Sequence, residues 1–116
     1  MTVGQMFEDI YVGDDSSWLD LKGIIMRGMN LQGVNLSHSN LAEADMSRAD
    51  LSYANLTYSD LCGADMRGAK LRGADMRGCD LTSAKLTGAD MRGADLRGSK
   101  LSEVNLDGAK LRGTKF

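Results

Sequence analysis

Residues 64–73 read Ala-Asp-Met-Arg-Gly-Ala-Lys-Leu-Arg-Gly, which is one five-residue pattern written twice. The pattern continues outward from this stretch in both directions, and Leu19 to Gly113 divide into nineteen pentads without an insertion. All nineteen central residues are Leu or Met, and Phe116 continues the series as a twentieth. A short, unbroken period is typical of a solenoid, in which each repeat packs only on its neighbours.

The residues around each centre predict how the chain turns. Two positions before the centre the residue is small, with Ala in ten pentads, and one position before it is Asp or Asn in fourteen of the nineteen. Every glycine after Gly13 lies two residues after a centre, where a corner can require a positive φ. A helix would spread apolar residues spaced at five around its whole surface, and a flat strand would flip faces at each repeat. The pattern therefore favours short extended pieces joined by corners.

At this point the sequence resembles the pentapeptide-repeat family, whose loose pattern is Ala-(Asp/Asn)-Leu-X-X. Residues 64–68 and 94–98 are close matches, and the resemblance covers about four-fifths of the chain. It implies an all-β fold, a right-handed quadrilateral β-helix with four pentads, or twenty residues, in each coil. On that basis the nineteen pentads make about 4.75 coils. We expect a β-helix over 19–116 and a short N-terminal capping segment over 1–18.

The lysines support four sides without reference to any family. Five lysines replace the Asp or Asn before the centre, and with four pentads per coil each follows an aspartate twenty residues earlier. With three pentads per coil, four of them would form one column of like charges, which is unfavourable. The five are Lys70, Lys85, Lys100, Lys110 and Lys115.

Both ends of a solenoid expose apolar cross-sections that need a cover. In the N-terminal segment Met6, Phe7 and Ile10 have helical spacing, and Trp18 adds bulk, which favours a packed cap over a frayed tail. At the other end Leu111 and Phe116 are candidate oligomerisation residues. Either Phe116 alone closes the core, or the last coil pairs with a second copy, as the resemblance implies for a homodimer through the C-terminal coil.

The side chains give little support for catalysis. The single histidine excludes imidazole-based triads and multi-histidine metal sites, so we expect no enzyme, no metal and no cofactor. Cys79 occupies a small inward position and Cys62 an outward one, so the two cannot readily form a disulfide or share a metal. Cys62 is expected to be an exposed bystander. The Asp and Asn side chains are expected to accept backbone hydrogen bonds at the corners, and the Met centres to fill the core.

Two groups of outward residues are candidate protein-binding surfaces. Glycine is replaced at five successive corners, which places long side chains around one coil and puts Tyr58 next to His38; the alternative is a turn without a positive φ. The corners and their candidates are His38, Glu43, Arg48, Tyr53 and Tyr58, from which we select all but Glu43. The second group is a set of arginines on adjacent faces, whose alternative interpretation is a solvated face: Arg72, Arg77, Arg92, Arg97 and Arg112.

Charge limits the functions that fit this rod. Residues 1–63 carry 3 Lys/Arg and 9 Asp/Glu, and residues 64–116 carry 11 and 7, so the halves are −6 and +4. Interleaved aspartates argue against direct nucleic-acid binding. We therefore expect a non-catalytic scaffold or interaction module with a protein partner. The alternative, implied by the resemblance, is a DNA-mimicking protein that binds topoisomerase and confers quinolone resistance, which would need a longer and continuously acidic rod.

No apolar run is long enough to cross a membrane, and we expect a cytoplasmic protein.

Overall fold

The structure is a computed structural model, and it describes residues 18–116. The predicted cap over 1–18 lies outside the described residues, apart from Trp18. From Leu19 onward the chain winds as the predicted right-handed, four-sided β-helix, with one pentad on each side. We number the sides as faces 1 to 4 from the pentads 19–23, 24–28, 29–33 and 34–38, and each face recurs every twenty residues.

Backbone hydrogen bonds between successive coils hold the solenoid together. Around face 1, Leu61 N–H donates to the Asp80 carbonyl at 2.8 Å, and Asp80 N–H donates to the Ser59 carbonyl at 3.1 Å. Sixteen single-residue parallel bridges join residues twenty apart, from Asp20 with Asn40 to Asp95 with Lys115. Along residues 18–116 there is no helix, no strand longer than these one-residue bridges, and hence no helix able to span a membrane. The four-sided register is therefore confirmed, and each of the five lysines bridges the expected aspartate.

In the fourteen pentads that have Asp or Asn before the centre, that side chain stabilises the corner. Asp45 Oδ1 accepts a hydrogen bond from Ser47 N–H at 3.1 Å, and Asn40 Oδ1 accepts one from Ala42 N–H at the same distance. A second bond closes the turn, as when Ala64 N–H donates to the Leu61 carbonyl at 3.0 Å. The side chain thus satisfies a corner N–H that the ladder leaves free, which confirms the predicted structural role.

The core alternates large and small side chains, as the inward pattern predicts. In the third coil, Leu61, Met66, Leu71 and Met76 have no exposed surface, and the small residues between them are buried as well. The first and last coils are less enclosed, with partly buried residues packed against the core: Leu19, Ile24, Met29, Leu101, Val104, Leu106 and Leu111. The apolar interior is thus continuous along the rod.

Candidate interaction surfaces

All four corners of the second coil carry long side chains, and we call this set the girdle. Its members are Glu43, Arg48, Tyr53 and Tyr58, with φ values of 59°, 57°, 61° and 59°. The alternative of a turn without a positive φ is therefore wrong. The left-handed conformation costs a non-glycine residue about 1–2 kcal/mol, and most other corners of this chain avoid that cost with glycine. The four girdle corners therefore carry long side chains at the cost of backbone strain that glycine would avoid.

Each girdle side chain lies on a glycine of the next coil. A Cβ added at Gly73 would be 2.6 Å from Tyr53 Cδ1, and a Cβ added at Gly78 would be 2.6 Å from Tyr58 Cδ1. We call these glycines the seats of the girdle. The other two seats are Gly63, where an added Cβ would be 2.5 Å from Glu43 Oε1, and Gly68, where it would be 3.4 Å from Arg48 Cγ. The missing side chains of the third coil therefore make room for the girdle and fix its direction along the rod.

One corner carries a column of stacked rings. The His38 ring lies between Trp18, at a centroid distance of 4.4 Å, and Tyr58, at 5.1 Å, with interplanar angles of 12° and 18°. The predicted contact between Tyr58 and His38 is confirmed, and Trp18 lies in the column on the outer surface. Trp18 and Tyr53 are each 71% exposed and Tyr58 is 63% exposed. This part of the rod presents a large aromatic surface on a fixed backbone.

The predicted arginine columns lie on faces 3 and 4, but their arginines are not equivalent. Three of them pair with the aspartate two positions earlier: Arg77 with Asp75, Arg92 with Asp90 and Arg97 with Asp95, each at 2.6 Å. Arg72 and Arg112 instead follow lysines, Lys70 and Lys110, and neither takes part in an ion pair within the described coils. Positive charge therefore accumulates on face 3, where Lys70 and Lys110 add to the predicted arginines.

Charge separates across the rod as well as along it. Face 1 carries five acidic and two basic residues over the described coils, and the opposite face 3 carries two acidic and five basic residues. The formal charges of these faces are thus −3 and +3. The acidic residues of face 1 are Asp20, Glu43, Asp60, Asp80 and Glu103, and the basic residues of face 3 are Lys70, Arg72, Arg92, Lys110 and Arg112.

Cys62 is half-buried, so the expectation of an exposed bystander is wrong. Its thiol lies against the carboxylates of Asp60 and Asp80, and the three ligand atoms are within 4.8 Å of one another. Burial, followed by the two carboxylates, raises the pKa of Cys62 to about 12. The carboxylates already accept backbone hydrogen bonds from Cys62 and Thr82, and we assign no metal to this cluster.

Cys79 is buried in the small inward position predicted for it. Its thiol donates to the Leu56 carbonyl at 2.8 Å, and burial raises its pKa to about 11. Both cysteines are free thiols. At the C-terminal end, Phe116 is 58% exposed and Leu111 is partly buried, so Phe116 does not seal the core by itself.

The model of the family described as pentapeptide repeats matches the chain in eight copies, over residues 30–68, 44–82, 64–98 and 79–116. The chain belongs to the pentapeptide repeat family. These matches together span the coils that carry the girdle, its glycine seats and the arginine columns. No curated protein matches the chain.

Two solved pentapeptide repeat proteins are similar to this one in sequence and in fold. A protein of the Arabidopsis thaliana thylakoid lumen is 33% identical, with a TM-score of 0.78 over 82% of this chain and 65% of its own. A protein of Nostoc PCC 7120 is 34% identical, with a TM-score of 0.62 over 93% of this chain and 74% of its own. This pentapeptide repeat protein thus spans slightly less than two thirds of the first.

A plasmid-mediated fluoroquinolone resistance protein is more distant, at 21% identity and a TM-score of 0.38 over 81% of this chain and 65% of its own.

Proposed function

We propose that this pentapeptide repeat protein is a non-catalytic module that binds another protein through its girdle. The observation that carries the proposal is the second coil, in which four long side chains occupy strained corners above four glycines. Strain of this kind is common where a side chain must be presented in a fixed place for function. The buried core of Leu, Met and Ala leaves no enclosed reaction site among the described coils.

The aromatic part of the girdle supplies the expected binding energy. Tyrosine and tryptophan contribute large contact areas for little loss of side-chain entropy, and they dominate many protein interfaces. Tyr58 is held between His38 and Gly78, and Tyr53 lies over Gly73. Because both side chains are already held in place, they lose little conformational entropy when a partner binds. We expect the partner to contact the two corners that flank face 4.

The test replaces both tyrosines with glycine, which relieves the corner strain and preserves the coil. The Tyr53→Gly/Tyr58→Gly variant, the unchanged protein and a control are immobilised, and the proteins retained from a lysate of the source cells are identified. The control is Ser83→Gly/Glu103→Gly, since both positions are non-glycine corners with φ of 60° and 57° outside the girdle. The proposal expects a partner retained by the unchanged protein and the control and lost with the tyrosine variant; equal retention by all three would refute it.

The basic face 3 is proposed as an electrostatic contribution to the same interaction. Of its arginines, Arg72 and Arg112 are exposed and without a salt bridge in the described coils, whereas the arginines of face 4 are neutralised by aspartates. An acidic partner would therefore be oriented by face 3, and its association rate would fall with salt. The double variant Arg72→Gln/Arg112→Gln should slow association at low ionic strength, and Arg77→Gln/Arg97→Gln should do so less.

We propose that a second copy covers the C-terminal end. Phe116 is exposed there, and Leu101, Leu106 and Leu111 are only partly buried, so association would remove apolar surface from water. Sedimentation over a range of concentrations tests this. A dimer that Phe116→Asp dissociates supports the proposal, and a monomer at high concentration contradicts it.

The charge distribution does not favour the DNA-mimic alternative. A surface that imitates duplex DNA must be acidic along its length, but face 3 has a formal charge of +3 and face 2 includes four cations, Arg27, Arg48, Arg67 and Lys85. A supercoiling assay with purified topoisomerase separates the two functions. Our proposal expects no inhibition at micromolar concentration, and inhibition that follows the acidic residues of face 1 would favour the alternative.

The cytoplasm is the location we propose. The two free thiols of Cys62 and Cys79 are consistent with a reducing compartment, in which disulfides are rare. Fractionation of the source cells tests the location directly, with recovery in the cytoplasmic fraction as the expected result.

A further inference from the structure

A shallow cleft on face 2 is lined by arginines and lies away from the tyrosine corners. Its volume is about 640 Å³, and no acidic residue lines it. The lining residues are Arg27, Ser47, Arg48, Arg67, Gly68 and Thr87. Half of the lining is therefore cationic, and the rest is small or carries a hydroxyl group.

The register of the coils explains the shape of the cleft. Arg27, Ser47, Arg67 and Thr87 occupy the same position in four successive coils, so the small Ser47 leaves a notch between two arginines. Gly68 adds no side chain to the wall of the cleft, and Cγ of Arg48 lies over this glycine. At Ser47 the cleft is therefore open, with Arg27 in the preceding coil, Arg67 in the following coil and Arg48 at the corner.

Arg27 departs from the pairing of the other arginines. Residue 25 is Ile where most pentads have Asp or Asn, so Arg27 reaches the next coil and donates to Asp45 Oδ2 through Nε at 3.0 Å and Nη2 at 2.6 Å. Arg67 donates to its own Asp65 through the same two nitrogens, at 2.9 and 2.7 Å. Each carboxylate fixes one edge of a guanidinium, and the two N–H groups of Nη1 remain available to a ligand.

Arg48 has no ion pair in the described coils. It also occupies a strained corner, which favours a functional role for its side chain. The other corners of this column are glycines, Gly28, Gly68, Gly88 and Gly108, whereas Arg48 adopts a φ of 57°. The three arginines that line the cleft outnumber the carboxylates of Asp45 and Asp65, with which Arg27 and Arg67 are paired, by three to two. A net charge of +1 therefore remains beside the notch.

We propose that this cleft binds a phosphate-class dianion, either free orthophosphate or a phosphate monoester. Arg48 supplies the uncompensated charge, while Arg27 and Arg67 supply N–H groups held in place by their aspartates. Guanidinium groups bind tetrahedral phosphate oxygens through short, charge-assisted hydrogen bonds, and the Thr87 hydroxyl can donate another. The site shares Arg48 with the girdle but does not include Tyr53 or Tyr58.

Titration of the full chain with orthophosphate tests the proposal, with the ionic strength held constant by chloride and the arginine Nε–H signals followed by NMR. The signals of Arg27, Arg48 and Arg67 should shift together and saturate. Arg48→Gly, which restores the residue found elsewhere in the column, should weaken binding about tenfold, and the control Arg72→Gln on face 3 should leave it unchanged. A phosphoserine peptide, compared with its unphosphorylated form, then distinguishes a monoester ligand from free phosphate.

Ser47→Arg separates a shaped site from general attraction to positive charge. This substitution adds a cation and fills the notch, so the proposal predicts at least a tenfold loss of phosphate affinity, whereas attraction by charge alone predicts a gain. Three results would overturn the proposal: shifts that do not saturate, an equal effect of Arg48→Gly and Arg72→Gln, or tighter binding by Ser47→Arg.

Discussion

Each corner of the coil holds one residue at a positive φ, and the identity of that residue decides whether the surface there is flat or carries a long side chain. Gly78 and Tyr58 occupy the same corner in successive coils, with φ of 69° and 59°. The backbone is therefore nearly the same at both, and the difference lies in the surface. Long corner side chains followed by glycines produce the girdle.

Replacement of Gly78 by Ala tests the fit of the tyrosine on its glycine. The new Cβ would meet Tyr58 Cδ1 at 2.6 Å, whereas a Cβ at Gly98, in the same column, would have Gly78 N at 3.8 Å as its nearest neighbour. Both variants should lose about 1 kcal/mol from the left-handed alanine. Only Gly78→Ala should change the near-UV circular dichroism of the Trp18, His38 and Tyr58 stack. Identical spectra for the two variants would contradict the seating.

The aspartates before the centres predict a loss of stability in acid. Hydrogen bonds from Ser47 and then Arg27 lower the pKa of Asp45 from 3.8 to about 2, and hydrogen bonds from Arg92 do the same for Asp90. A carboxylate whose pKa is lower in the folded state stabilises the fold above its unfolded pKa. The melting temperature should therefore hold steady down to about pH 4 and fall between about pH 4 and pH 2.

A single substitution checks that the aspartates cause this dependence. Asp90→Asn keeps an oxygen for the Arg92 N–H but loses the charge, so it should cost only about 0.5 kcal/mol at pH 7, as expected for a surface ion pair. The variant should also lose less stability than the unchanged protein between pH 4 and pH 2. An unchanged acid profile would indicate that other groups are responsible.

A coil is stabilised by its neighbours, so equivalent core positions should differ in energy along the rod. Leu61 in the third coil has no exposed surface, and Leu101, on the same face in the last coil, is only partly buried. Leu61→Ala should cost about 2–5 kcal/mol, because it leaves a cavity between two coils. Leu101→Ala should cost roughly half as much or less, as measured by urea denaturation. Equal costs would mean that the two ends are enclosed to the same degree.

The coil itself could be predicted from the sequence, because unbroken Leu and Met centres and paired charges each report the period. The pairing of Lys70 with Asp50 is an example that the bridges confirm. The seats of the girdle were not identified, although the twenty-residue register already relates Tyr53 to Gly73. The tilt of a corner side chain toward the next coil depends on the backbone geometry, which a pattern of residue types does not contain.

The candidate surfaces were predictable only in part. The replaced glycines pointed to His38 and the tyrosines, since glycine is otherwise regular at the corners. The ion pairs of the arginines required coordinates, because Arg27 pairs with the next coil where the other paired arginines stay within their own pentad. The half-burial of Cys62 was missed for a similar reason, since it depends on the side chains of two successive coils.

At the scale of the whole molecule, the rod separates its surface properties onto different sides. Face 1 is acidic, the opposite face 3 is basic, and the aromatic corners flank face 4. A rigid solenoid keeps these regions at constant distances, so a partner can engage two of them at once without ordering the protein. This arrangement fits a module that positions another molecule.

The four-sided register, with the girdle lying on the third coil, is the claim on which these surfaces depend. It is tested most directly by nuclear Overhauser effects from the ring protons of Tyr53 and Tyr58 in a labelled sample. The four-sided register predicts strong effects to the Hα protons of Gly73 and Gly78, twenty residues later. Effects from Tyr58 to Gly73, fifteen residues later, or no effect to either glycine, would contradict it.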